Sequence, residues 1–312
     1  MRSVEAQLIH RPDGRGAGEV VRHLLAVQAQ DVGAAQLALR ARSATVTRAE
    51  IDAAVERREI VRAWGPRGTL HYVHRDDLAW LLALTSRRTG SLLRLSQEGV
   101  HGDDLLPLIE GALLGQGPLT KAELETRLGG RAAGQGIVHL VGLAASQGLA
   151  VLGPLRGGKP TYVHAADWLG GPIVFESDRD KALAELAVRY RRSHLPAEPE
   201  DLAAWAGVPL GEARLGWRAA SAPAPEETAE RVVRLLPAFD EFLMGWKSRD
   251  PILAPEHARK VFPGGGILRP SVLVDGRVRG TWTRKGSAVT VEAFDEVPPL
   301  DDEIADVRRF LA

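Results

Sequence analysis

Gln28, Gln30 and Asp31 are the residues of this chain whose types and spacing point most directly to chemistry. They lie in Val27-Gln28-Ala29-Gln30-Asp31. Two carboxamides side by side can hold a water molecule and turn carbonyl dipoles toward a developing positive charge, but neither can act as a strong base. Asp31 adds a carboxylate that could support such a site electrostatically, although its place before an apolar helix suits an N-cap. The competing reading is that both amides satisfy backbone groups at a corner between helices.

The elements around the motif decide whether the amides converge. Before it, Val20, Val21, Leu24, Leu25 and Val27 recur close to helical period. After it, Asp31 can cap a second helix that begins near Gly33 and carries Leu37 and Leu39. Inside one regular helix Gln28 and Gln30 would diverge by about 200°. In a broken, extended segment residues two apart project to the same side. The expectation is therefore a helix, a break and a second helix, with both amides aimed into one space.

A chain of 312 residues is long enough for several domains. Without a cysteine it has neither disulfides nor thiolate metal sites, which fits a reducing cytoplasm. No apolar run approaches the ~18 residues of a membrane span, and the N-terminus lacks an apolar signal core. The expected protein is cytoplasmic and monomeric, with no membrane partner. Forty basic and forty acidic residues cancel, yet their distribution is uneven. Residues 244–285 hold nine basic side chains against three acids, and residues 286–312 seven acids against two arginines. A neutral total thus hides a basic region able to face phosphates.

One unit recurs. Thr47 with Glu50 and Thr120 with Glu123 are capping boxes ahead of apolar helices, and Glu198-Pro199-Glu200-Asp201 is an acidic variant with Pro near the first turn. Glu50, Glu123 and Asp201 are 73 and 78 residues apart, the spacing of tandem small domains. Strand-like segments at 59–64 and 69–73 flank the turn Gly65-Pro66-Arg67-Gly68, and segments at 149–152 and 161–163 flank Gly157-Gly158-Lys159. Helices followed by one β-hairpin make a winged helix. The third copy has helices at 178–192, 199–206 and 210–219, then an Ala/Pro-rich linker at 221–225. The last eighty residues alternate at strand period, with Asp275-Gly276 a strong hairpin signal and Lys285-Gly286-Ser287 a weaker one, before a terminal helix at 300–311. The predicted architecture is α+β: winged helices at 1–90, 91–172 and 173–228, the third with a degenerate wing, followed by a small antiparallel, barrel-like part at 229–312.

Tandem winged helices point to duplex nucleic acid, because a helix of such a unit fits the major groove; winged helices also serve as protein–protein modules. Arg67 at the turn tip is a candidate phosphate contact, and His71 on the return strand either packs or touches phosphate. His71 and His74 are three apart on a strand and the loop after it, poor spacing for a metal in a chain without cysteine, so no metal is expected. In Phe239-Asp240-Glu241-Phe242-Leu243-Met244-Gly245-Trp246-Lys247-Ser248-Arg249, Trp246 could stack on a base while Lys247 and Arg249 hold phosphates. The alternative places the aromatics in a domain-junction core. Asp240 is a candidate for electrostatic support. Asp240 and Glu241 make a poor catalytic pair, since adjacent side chains on a regular element diverge.

Taken in order, the segments at 26–31, 67–71, 157–162, 236–242 and 276–282 resemble the AlkZ/YcaQ-type bacterial alkylpurine DNA glycosylases along essentially the whole chain. The resemblance makes Gln28 and Gln30 the catalytic pair of a Gln-hydrophobe-Gln signature, here with a small Ala29 between them, which leaves the class of adduct open. It implies a monofunctional glycosylase that needs no cofactor and acts on double-stranded DNA carrying alkylated purines, bulky adducts or crosslinks. Cleavage of an N-glycosidic bond passes through an oxocarbenium-like state that glycosidases usually stabilise with carboxylates. Two neutral amides suffice when alkylation has already made the departing purine cationic. The rival reading is a non-catalytic winged-helix regulator that binds undamaged DNA.

Overall fold

Local signals start and stop the helices much as the sequence predicts. The Thr120 side chain accepts from the Glu123 N–H while Glu123 accepts from the Thr120 N–H, closing the box ahead of the Lys121–Arg127 helix. Thr47 accepts from Glu50 N–H at the start of Arg48–Glu56. The third set of helices runs Arg179–Ser193, Pro199–Ala206 and Leu210–Ala219, within a residue of expectation. The computed structural model describes residues 2–12, 14–86, 88–220, 231–286 and 288–312, the side chains of 88–91 excepted. The expected linker at 221–225 and Ser287 of the second hairpin lie outside the described residues. No described helix is long and apolar enough to cross a membrane.

The chain divides into two units, one formed by Met1–Ile51 with Leu183–Ala312, the other by Asp52–Ala182. The first unit contains the short strand β1 (Ala26–Gln28). The second contains β2 (Ile60–Trp64), β3 (Leu70–His74), β4 (Leu119–Thr120), β5 (Ala150–Arg156) and β6 (Lys159–His164). Its five strands line up as β3-β2-β5-β6-β4, each neighbouring pair antiparallel. Strands β5 and β6 run further toward their turn than the sequence suggests, because Gly157 (φ 57) and Gly158 (φ 74) alone make it. Two successive left-handed residues are what a tight hairpin turn demands, and glycine adopts them without steric cost. Ile109, Leu113, Leu124, Ile137, Leu140 and Val141 form the buried centre of this unit.

The C-terminal part of the first unit carries β7 (Val233–Leu236), β8 (Ser271–Val274), β9 (Arg277–Lys285) and β10 (Ala288–Ala293), paired antiparallel in the order β10-β9-β8-β7. Asp275 (φ 50) and Gly276 (φ 78) make the β8–β9 turn as predicted. The barrel-like closure does not occur, since β7 and β10 end the sheet as edges. Four strands are too few to wrap around their own side chains. The apolar face is covered instead by the Asp301–Leu311 helix, whose Val307 is buried with Leu235, Val272, Val274 and Trp282. The result is a mixed α+β molecule with antiparallel sheets and no closed barrel among the described residues.

Candidate active site

The Gln motif sits where the helical pattern breaks. Helix Ala17–Leu24 ends, β1 runs Ala26–Gln28, and helix Val32–Arg40 begins after Asp31. Leu25, between the first helix and the strand, has φ 71 and ψ −54 and is fully buried. That is the tight γ geometry, rare for a residue with a branched side chain and costing about 1–3 kcal/mol. It turns the chain sharply out of the helix, which the apolar period of 19–27 could not announce. Gln28 is 9 % exposed, Ala29 fully buried and Gln30 exposed. Asp31 does what its position suggested: its side chain accepts from Ala34 N–H at 3.1 Å and caps the second helix. The far end of that helix is held by Arg40, which donates to Leu235 O at 2.7 Å and to the carboxylates of Glu303 and Asp306.

A buried polar network lies behind the motif in the same unit. Glu241, fully buried, accepts from the Gln28 main-chain N–H through Oε1 at 3.0 Å and from the Trp205 indole N–H through Oε2 at 2.9 Å. Its neighbour Asp240 caps the Glu241–Met244 helix by accepting from Phe242 N–H. Asp240 also meets Arg42 in a bidentate pair at 2.9 and 2.8 Å, both side chains fully buried. Arg42 donates further to Ala38 O and Gln7 Oε1, and Gln7 Nε2 reaches Glu241 O. Asp240 is thus engaged in holding the scaffold. Arg42 and Trp205 are absent from the sequence-based candidates, and Glu241 entered only as half of a poor catalytic pair. The only trace of their roles in the sequence is a carboxylate pair set inside an otherwise apolar run.

The remaining candidates divide. Trp246 is buried and donates its indole N–H to Phe242 O, with His194 edge-on at 5.6 Å; it belongs to the core and offers no face for stacking. Lys247 is exposed. Arg249 is half-buried, bonded to Leu243 O and stacked 4.4 Å over Phe262. Arg259, Lys260, Arg269, Arg277, Arg284 and Lys285 are exposed, so the basic stretch does face solvent. Arg67 and His71 fall in the other unit. Arg67 is half-buried at the β2–β3 turn, in a left-handed conformation (φ 59).

His71 is fully buried, and burial, together with the nearby Arg67, holds its imidazole down at about 3. Its Nδ1 lies 3.0 Å from Thr69 O. Being neutral and enclosed, it offers no charge to a phosphate, and of the two roles open to it the packing one remains. A consequence follows for stability. The unfolded chain takes up a proton near 6.5 and the folded state does not, so stability present above pH 6.5 is lost as pH falls toward 3. His23, held at about 4 by burial, acts in the same direction. Denaturant unfolding at pH 7, 6, 5 and 4 should show a shallower pH slope for His71→Gln than for the wild type, by up to about 1.4 kcal/mol per pH unit. Equal slopes would contradict a buried, neutral His71.

Comparison with known proteins places the whole chain. Residues 21–310 match the model of the family described as DNA glycosylase AlkZ-like. The chain is 29 % identical to an interstrand DNA cross-link repair glycosylase of Streptomyces sahachiroi, over 94 % of this chain and 90 % of that protein. The solved structure of the Streptomyces sahachiroi DNA glycosylase AlkZ superposes with a TM-score of 0.80 at 26 % identity, covering 99 % of this chain and 96 % of the other.

Proposed function

Since the chain belongs to the AlkZ-like family of DNA glycosylases, we propose that it is a monofunctional glycosylase hydrolysing the N-glycosidic bond of cationic alkylated purines in duplex DNA. N7-alkylguanine is the substrate class, with bulky adducts and interstrand crosslinks as its larger members. The observation that carries this reading is the Gln-Ala-Gln segment itself. It lies between two helices where the strand Ala26–Gln28 ends, with Gln30 exposed and the Gln28 main chain tied from behind by a buried carboxylate.

Gln28 and Gln30 would orient the attacking water and turn their carbonyl dipoles toward the sugar as it becomes cationic. No proton need be delivered to the leaving base, because N7 alkylation lets the purine depart neutral. Absence of a strong acid or base then follows from the substrate. Lys247, Arg249 and Arg67 supply phosphate contacts, aided by the exposed basic side chains of 259–285. The same reading divides the chain into winged helices at 1–90, 91–172 and 173–228 with a β-rich part at 229–312. The order of helices and hairpin in the first two supports that division.

The test is release of free 7-methylguanine from methylated duplex, followed by chromatography, with a crosslinked duplex alongside. Base release leaving an unbroken abasic strand is expected. Binding to duplex without base release would instead favour a non-catalytic winged-helix protein.

A further inference from the structure

Glu241 takes no part in the reaction as described, yet it joins three separate stretches of chain at the back of the motif. Its carboxylate spends both oxygens on N–H donors, one from the Gln28 peptide at 3.0 Å and one from the Trp205 indole at 2.9 Å. The side chain is delivered from a pinned base. Asp240 caps the short helix that Glu241 begins, and Asp240 is itself locked to Arg42. Trp205 lies in the last turn of the Pro199–Ala206 helix and leans on the Tyr190 ring at 5.5 Å, so the second anchor is also fixed. On the motif side, the strained Leu25 turn lies three residues before Gln28 and persists only if the surroundings hold the chain there.

Building on the glycosylase reading, we propose that Glu241 is a positioning residue for base release. It fixes the Gln28 peptide, and with it the direction in which the Gln28 and Gln30 amides leave the backbone. The requirement is specifically for a carboxylate. A glutamine of the same shape has one oxygen and one NH2, so one of the two N–H groups would face another donor, and an unsatisfied buried donor is costly. An aspartate is one methylene short of bridging the same two partners.

The test uses the full-length protein and its Glu241→Gln and Trp205→Phe variants. Hydrogen–deuterium exchange reports on the peptide spanning residues 25–31, and base release from methylated duplex reports kcat and KM. Glu241→Gln should speed exchange in that peptide by about tenfold or more and lower kcat by about 10- to 100-fold, as loss of a charge-assisted hydrogen bond implies. KM for the damaged duplex should stay within about threefold, because phosphate contacts are untouched. Trp205→Phe, which removes one of the two anchors, should give a smaller change in the same peptide, and it carries the test if Glu241→Gln does not fold. Unchanged exchange at 25–31 would overturn the inference. So would a lowered melting temperature with kcat per folded molecule preserved, the pattern of a merely structural residue. If the wild-type protein releases no base, the glycosylase reading fails, while the exchange measurement still decides whether Glu241 holds the motif.

Discussion

Replacing both motif glutamines, Gln28→Ala together with Gln30→Ala, is expected to lower the single-turnover rate of 7-methylguanine release by at least about a hundredfold. Positioned general catalysis and preorganised dipoles are each worth about 10²-fold or more. Binding to the same duplex, followed by fluorescence anisotropy, should change little, since the exposed basic residues of 259–285 are untouched. The fold should survive. Gln30 is exposed, and the Gln28 contact to Glu241 is made by the main-chain N–H, which alanine keeps. The two single variants should not add, because one amide can still orient a water with the other gone. Full activity in the double variant would remove the motif from the mechanism, whatever its resemblance to a catalytic signature.

A comparably large effect, on stability instead of rate, is expected at Arg42. Its guanidinium and the Asp240 carboxylate are both fully buried and bonded at 2.8 Å. Arg42→Met would leave Asp240 charged and uncompensated, and would also strip a donor from Ala38 O and Gln7 Oε1. Breaking a buried pair by removing one partner costs about 3–5 kcal/mol. That is a large share of the ~5–15 kcal/mol by which a typical protein is stable. Denaturant unfolding should show the loss as a lower midpoint with similar cooperativity. Arg42→Met combined with Asp240→Leu should recover part of it, because the uncompensated charge is gone while the cap to Phe242 stays missing. A cost below about 1 kcal/mol for Arg42→Met would mean that water reaches the pair.

Much of the site's local frame could be read along the chain. Although the first helix stops at Leu24, short of where its apolar period points, the Asp31 cap and the second helix follow from apolar period and a capping side chain within a few residues of one another. The same holds for the Thr120–Glu123 box and the Asp275-Gly276 turn. Such features depend on backbone groups that neighbours in sequence must satisfy, so residue type and spacing express them. The resemblance to a family signature is what suggested roles for the two glutamines, which periodicity left open between chemistry and packing.

What surrounds that frame could not be read in this way. The bond from Glu241 to the Gln28 peptide joins residues 213 positions apart. Adjacent carboxylates at 240 and 241 look like a single feature in the sequence, yet one is locked to Arg42 and the other reaches the motif. Trp246 and His71 carry side chains that suit a nucleic-acid surface, and burial withdraws both from it. The four C-terminal strands alternate as barrel strands would, but a helix covers their apolar face and the sheet stays open. Residue type and spacing alone carried the starts of most helices and the amides that stand near the break, since each rests on contacts a few residues long. Which carboxylate holds the Gln28 peptide, and which aromatic and imidazole rings lie inside, emerges in the folded chain, because burial and pairing depend on segments that meet only there.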